Sequence, residues 1–474
     1  MSNKTRRQFL TQASLTLVSA GILLEATEHE ALTQVVQTPP PGAPPAFGTA
    51  PEVGPAVSTE TFVEAEKLVQ APLTPADRAM AAGNWRRSMA SVYERRTGPR
   101  KVVIEDSIVP YSGWNPVLPG QSHGPDRDVF VRTPLDPGPL PTSDADIAFA
   151  PVTKLSRWIE TRKITSERLT RIYLDRIAKY NGTLRCVITP TPEIALKQAQ
   201  QADREIAAGK YRGPLHGIPW GGKDLLDTAG IPTTYGAEFY RDRIPTKDAA
   251  VVARLHAAGA VMIAKLSLGA LALNDVWFGG QTMNPWLLEE GSSGSSAGPG
   301  AATSAGLVGF SIGSETEGSI TSPSMRCGIT GLRPTFGRVP RNGAMTLCWS
   351  LDKLGPMTRS VEDAMLVLHT ITGPDPADLG SVPSKLDFDA KASIKGLRVG
   401  YFPAWMKEAP ATDVDRAALA AVDKLGMKAV PVSLPDWPYN SLNIILFAEA
   451  AAAFEEQTLD HRVDQLEAQV PDAW

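Results

Sequence analysis

The sequence predicts an α/β fold, a large mixed and mostly parallel sheet covered by helices on both faces. Two observations predict it. Segments with apolar residues every three or four positions alternate with short, almost wholly apolar runs such as Ala260–Ala264 (AVMIA). Strands separated by helices imply parallel or mixed pairing, and unbroken apolar runs imply burial on both sheet faces. The chain is also large enough to build such a core, with 474 residues, 43% of them hydrophobic and 21% charged.

Taken in order, the first 30 residues read as an address. Arg6-Arg7 followed by Phe9-Leu10 and a short, weakly apolar run has the form of a twin-arginine export signal, which carries folded proteins. The run is too short for a permanent bilayer span. This predicts an exported, periplasmic or extracellular bacterial protein whose first partner is the twin-arginine export machinery. No clean cleavage site stands out, so retention at the membrane by an uncleaved signal stays open. Residues 31–57, with TPPPGAPPAFGTAPEVGPAV at their end, read as a Pro-rich linker. Residues 58–147 form an N-terminal extension. Up to residue 100 it reads as helical, with Thr74-Pro75 as cap and first turn and Trp85, Met89 and Tyr93 at four-residue spacing. Residues 101–147, rich in Pro, Gly and Asp, read as irregular.

Residues 148–474 carry the alternating pattern. Thr165–Tyr180 is amphipathic through Leu169, Tyr173 and Ile177, with a stop expected at Asn181-Gly182. Cys186–Thr189 reads as a strand. Thr191-Pro192 starts a helix with Ala195, Ala199, Ala202 and Ile206 in one stripe, closed by Gly209. Lys247–Ala258, Val361–Ile371 and Val414–Leu425 read as helices, as does Glu449–Phe454. Leu397–Phe402 and Lys428–Val432 read as strands.

Composition narrows the chemistry. A formal charge of −4 offers no electrostatic footprint for nucleic acid. Cys186, Cys327 and Cys348 are too few and too scattered for a disulfide framework or a zinc site. The informative stretch is Gly291–Thr335: a Ser/Gly turn (GSSGSS), an apolar run, then a second turn, Glu317-Gly318-Ser319-Ile320. It contains no histidine. Hydroxyls on glycine-lined backbone suggest acyl chemistry in which main-chain N–H groups face the substrate. A base is available in Lys223, which follows two glycines and precedes Leu225-Leu226.

These blocks resemble the amidase signature family. The matching pieces are GPLHGIP and KDLLDTAGIPTT within 213–234, NPW at 284–286, GSSGSSAG, GSETEGSI, CGITGLRPT and LGPMTRSVEDA at 354–364. The resemblance runs from about Ala148 to at least Gly373. It implies one α/β amidase domain and an amidase that takes a small-molecule amide, without metal or organic cofactor. By that resemblance Ser319 is the nucleophile and Ser292 the relay serine, which would follow a cis Gly291–Ser292 bond. Lys223 is the general base, and it must be neutral to serve. Asp224 is expected to point away from it. Thr316, Glu317 and Gly318 are the oxyanion candidates, and Ser293 belongs with the substrate-contacting residues.

The chain also departs from the pattern. Glu317 stands where a glycine is common, so a positive φ there would strain it. Glu315 replaces an aspartate, Gly294-Ser295 the usual pair of glycines, and Arg326 an apolar residue. Family members usually continue well past residue 454, so either a compact variant or an incomplete C-terminus is expected.

Three other readings compete. Gly294–Gly298 matches the nucleophile-elbow pattern G-x-S-x-G, but NPWLLEEGSS is not a convincing strand, and only His369 and His461 follow. A glutamine-hydrolysing subunit of a tRNA-dependent amidotransferase is the nearest rival inside the family. An exported binding protein that kept the fold without catalysis is the third.

Overall fold

The structure, a computed structural model, describes residues 52, 54–97, 100–103, 124–134, 136–407 and 412–466. The export signal and most of the Pro-rich linker lie outside the described residues. No helix among the described residues is long and apolar enough to cross a membrane.

Two compact units divide the chain. One draws on Met1–Pro110 and Ala392–Phe447, the other on Tyr111–Lys391 and Ala448–Gln469. Residues 392–447 fall in the first unit.

In the first unit, helices span Thr59–Val69, Pro75–Ser88 and Ala90–Thr97. Thr74 caps the second by accepting from the Asp77 N–H, and Pro75 occupies the first turn, where a missing N–H costs nothing. The Trp85–Met89–Tyr93 stripe crosses a break, since Met89 separates two helices. Arg398–Tyr401 and Lys428–Pro431 pair in parallel, joined through the helix Asp413–Lys424.

The second unit holds the main sheet. Its strands are β1 (Val187–Pro190), β2 (Pro219–Lys223), β3 (Val261–Leu266), β4 (Phe310–Glu315), β5 (Thr330–Gly331) and β6 (Lys353–Thr358), in spatial order β5-β6-β4-β2-β3-β1. The three central strands run parallel, and the outer pairs are antiparallel. Every residue of β2, β3 and β6 is buried, so both faces of the sheet are covered. Helices supply the cover: α1 (Ser166–Leu184), α2 (Pro192–Ala207), α3 (Ala250–Ala257), α4 (Ala297–Ser304), α5 (Thr321–Cys327) and α6 (Val361–Ile371). Leu169, Tyr173 and Ile177 of α1 and Ala195 and Ala199 of α2 enter one core with Trp220 and Phe310.

Three local expectations change in the fold. Helix α1 runs past Asn181-Gly182 to Leu184, because the Asn181 amide is used by tertiary structure. Its side chain accepts from the Cys186 and Val187 N–H groups and donates to the Val187 carbonyl. Thr191 does not cap α2 with its hydroxyl, which donates instead to the Met262 carbonyl. Within the stretch read as irregular, Val129–Val131 is a strand paired with Asp387–Asp389, a partner too distant in sequence for local pattern to reveal.

Candidate active site

Strand β2 ends at Lys223 in the middle of the sheet, and its Nζ is sealed from solvent at 0% exposure. It lies within hydrogen-bond distance of Ser295 Oγ at 2.7 Å, Ser314 Oγ at 2.9 Å and Ser296 Oγ at 3.1 Å. Burial pushes the amine well below the ordinary lysine range, against the opposing pull of the Asp352 and Glu315 carboxylates. Asp224 points away, as expected. Its carboxylate accepts from the Thr234 N–H and hydroxyl and pairs with Lys265.

The structure does not bring Ser292, expected as the relay, to the Lys223 amine. The cis peptide bond is Gly294–Ser295, not Gly291–Ser292. Ser292 is fully buried, its hydroxyl donates to the Ser293 carbonyl, and its N–H donates to the Thr282 carbonyl. These bonds anchor the turn and leave Lys223 to Ser295. The physical reason is a register choice. GSSGSS contains two Gly-Ser steps, and the strand Leu287–Gly291 holds the first one in a hairpin with Met283–Asn284. Gly294 then passes so close to Asn274 that a Cβ would lie 1.7 Å from its carbonyl oxygen, which swings Ser295 to the amine. Two of the lysine's neighbours, Ser295 and Ser314, carry no sequence signal of their own as site residues.

Hydrogen-bond bookkeeping separates the three hydroxyls. A neutral amine has two N–H donors and one lone pair. Ser296 Oγ donates to the Ser314 carbonyl at 3.0 Å, so it meets Lys223 as an acceptor. Ser295 and Ser314 remain able to give a proton to the lone pair. Ser295 is also beside the second turn, because the Ser296 N–H donates to the Ser319 carbonyl at 3.1 Å.

The second turn is pinned at both ends. One Glu315 carboxylate oxygen accepts from the Ile320 and Thr321 N–H groups, each at 2.8 Å, and the other meets Arg333 at 3.1 Å. Thr316 Oγ1 donates to Asp352 Oδ1 at 2.6 Å. Between these anchors, the N–H groups of Glu317, Gly318 and Ser319 have no protein acceptor among the described residues. Ser319 is half-buried and its hydroxyl is likewise without a partner among them. The positive φ, 136°, falls on Gly318 and not on Glu317, so glutamate is accommodated. Ser293 is held by Ser322 Oγ at 2.7 Å and by Asp275, which accepts from its N–H at 2.9 Å. Arg326 is answered by Glu290 at 2.8 Å.

A cavity of about 280 Å³ borders the cluster at Ser314 and Thr316. Leu225, Met345, Leu347 and Leu354 make much of its wall. Its charged members are already paired. Arg341 makes a two-pronged contact with Asp378, at 2.9 and 3.1 Å. Asp352 accepts from Thr316 and from the Leu347 and Cys348 N–H groups.

The elbow reading loses its base. A strand does precede the motif and α4 follows it, contrary to the sequence expectation. Yet Ser296 meets lysine and main chain, with no histidine among its described partners.

The helix-covered mixed sheet thus brings a sealed lysine amine to serine-rich turns, and comparison with known proteins places the chain in a family. The chain belongs to the amidase family, whose family model matches residues 168–472. The glutamyl-tRNA(Gln) amidotransferase A subunit of Moorella thermoacetica is 40% identical over 312 residues, covering 63% of each chain. The native peptide amidase of Stenotrophomonas maltophilia superposes with a TM-score of 0.61 and 35% identity, over 66% of this chain and 68% of that one. The glutamyl-tRNA(Gln) amidotransferase A subunit of Thermotoga maritima gives a TM-score of 0.55 and 26% identity, over 66% and 67%. The chain thus spans less than two thirds of the length of the curated relatives it matches.

Proposed function

We propose that this protein hydrolyses a carboxylic amide through Ser319, Ser295 and Lys223. The observation that carries the reading is the 2.7 Å contact between a fully buried Lys223 amine and Ser295 Oγ. Ser295 gives its proton to the neutral amine and takes one from Ser319. The Ser319 oxygen bonds to the amide carbon, and the carbonyl oxygen becomes an oxyanion facing the Glu317, Gly318 and Ser319 N–H groups. Collapse breaks the C–N bond, with the proton returned through Ser295 to the departing nitrogen. Water then resolves the acyl-enzyme by the same path.

The acyl side chain enters the cavity beside Thr316. Because Arg341 and Asp378 satisfy each other there, an uncharged acyl group fits better than a free amino acid. Assay of ammonia release from hexanamide, N-acetylphenylalanine amide and glutamine tests this. Turnover of glutamine alone would reject the preference and favour the glutamine-hydrolysing reading, which the 40% identity to an amidotransferase component keeps in contention. Labelling of Ser319 by a fluorophosphonate tests catalysis itself. Folded protein that resists the probe and turns over none of these amides would instead be a binding protein on this fold.

The sequence of the first 30 residues supports export as a further part of the proposal. Fractionation of cells making the full chain, with Arg6-Arg7 changed to Lys-Lys as control, checks it. Wild-type protein confined to the cytoplasm would refute it.

A further inference from the structure

We propose that Lys353 is a positioning residue that polarises the oxyanion-binding turn through the Thr316–Glu317 peptide group, a role that rests on the amidase reading above. Lys353 opens β6 and sits opposite Glu315, the last residue of β4. Its side chain is buried, with the residue 6% exposed. The Nζ donates to the Thr316 carbonyl oxygen at 3.2 Å and to the Leu351 carbonyl.

The Thr316 carbonyl and the Glu317 N–H belong to one peptide plane. Resonance links the two ends of that plane, so a cation held at the oxygen draws electron density away from the nitrogen. The Glu317 N–H becomes a stronger donor, as hydrogen bonds in low-dielectric surroundings polarise one another. It is one of the three consecutive N–H groups left without a protein acceptor among the described residues. The ammonium thus acts on a developing oxyanion without touching the substrate. The turn has other anchors besides Lys353, in Asp352 on Thr316 and Glu315 on Ile320 and Thr321.

The charge on Lys353 is conditional. Burial and the Arg333 guanidinium lower its proton affinity, while Glu315, Asp352 and Cys348 raise it, and the balance holds it at about 8. Glu317 is a further carboxyl whose proton affinity responds to this ammonium. The polarising charge is present below that pH and lost above it. The turn therefore carries an alkaline limit that Lys223, which must be neutral, does not impose.

The test uses the full chain as wild type, Lys353→Met and Lys353→Arg, with hexanamide and 4-nitrophenyl butyrate as substrates from neutral to alkaline pH. Lys353→Met is expected to lower kcat about tenfold with KM changed less than about twofold, a fraction of the loss from deleting an oxyanion donor. It should also flatten the alkaline fall in kcat. Lys353→Arg keeps the charge, so it should restore most of kcat and carry activity to higher pH. A merely structural lysine would change stability and leave the alkaline limb in place. Wild-type kcat in Lys353→Met, or an unchanged alkaline fall in both variants, would overturn the polarisation alone. A wild type inactive on both substrates would bring down the amidase reading, and this role with it.

Discussion

The Asp224 carboxylate meets the Lys265 amine at 2.9 Å with both residues fully buried, one position along the chain from Lys223. Strand geometry makes this separation. Successive residues of β2 face opposite sides of the sheet, so Gly222 and Asp224 share a face that Lys223 does not. Lys265 is in register with Gly222 on the parallel neighbour and so lies on the Asp224 side. A carboxylate that would otherwise hold Lys223 charged is thereby committed elsewhere. Lys265→Met should cost about 3–5 kcal/mol, because it leaves Asp224 buried without its ion partner. The double change Asp224→Leu, Lys265→Met should cost less than the sum of the two single changes. Urea unfolding of the four proteins checks this, and strictly additive costs would show that the pair is not coupled.

Ser295→Ala should lower kcat for hexanamide by about 10²–10⁴-fold, the range typical of lost proton transfer. Ser292→Ala should stay within about threefold of wild type, since that hydroxyl only donates to the adjacent Ser293 carbonyl. The reverse ranking would restore Ser292 as the relay and remove Ser295.

How far the sequence could be read follows from the range of the forces involved. Helix α6 was legible to the residue, and β3 nearly so, because each is encoded by its own apolar pattern and caps. Lys223 and Ser319 stood out as candidates because they sit in blocks that resemble those of one family. Ser295 did not, since local sequence treats both Gly-Ser steps of GSSGSS alike and the choice is made by Asn274, Thr282 and the Leu287–Gly291 hairpin. The same limit hid the Val129–Val131 pairing and the contact of Lys353 with Thr316. Both are contacts between strands or turns far apart in the chain.

The turn proposed to hold the oxyanion depends on one backbone conformation. Gly318→Ala places a side chain at φ 136°, a region that costs about 1–3 kcal/mol for a non-glycine residue. The space around it is open, with Thr321 Oγ1 at 3.9 Å the nearest atom to an added Cβ, so the penalty is conformational. Glu317→Ala involves no such change. Loss of amide turnover in Gly318→Ala, with Glu317→Ala retaining at least about a third of it, is the expected outcome. Equal loss in both would mean that the Glu317 side chain, not the backbone, serves the site.

In the proposed mechanism Lys223 sets the acid side of the pH dependence. Burial lowers its folded pKa well below that of a free lysine, about 10.4 in the unfolded chain. Only the neutral amine accepts a proton, so kcat should fall as pH drops through the folded value. The same shift acts on stability with a definite sign. Between the folded and unfolded pKa the unfolded chain binds a proton that the folded chain does not, so stability rises with pH across that window. Lys223→Met removes the titrating group and should flatten this slope while abolishing turnover. Urea unfolding at a series of pH values reads the slope directly. A wild-type slope that survives unchanged in Lys223→Met would mean that the buried amine is not the group that titrates.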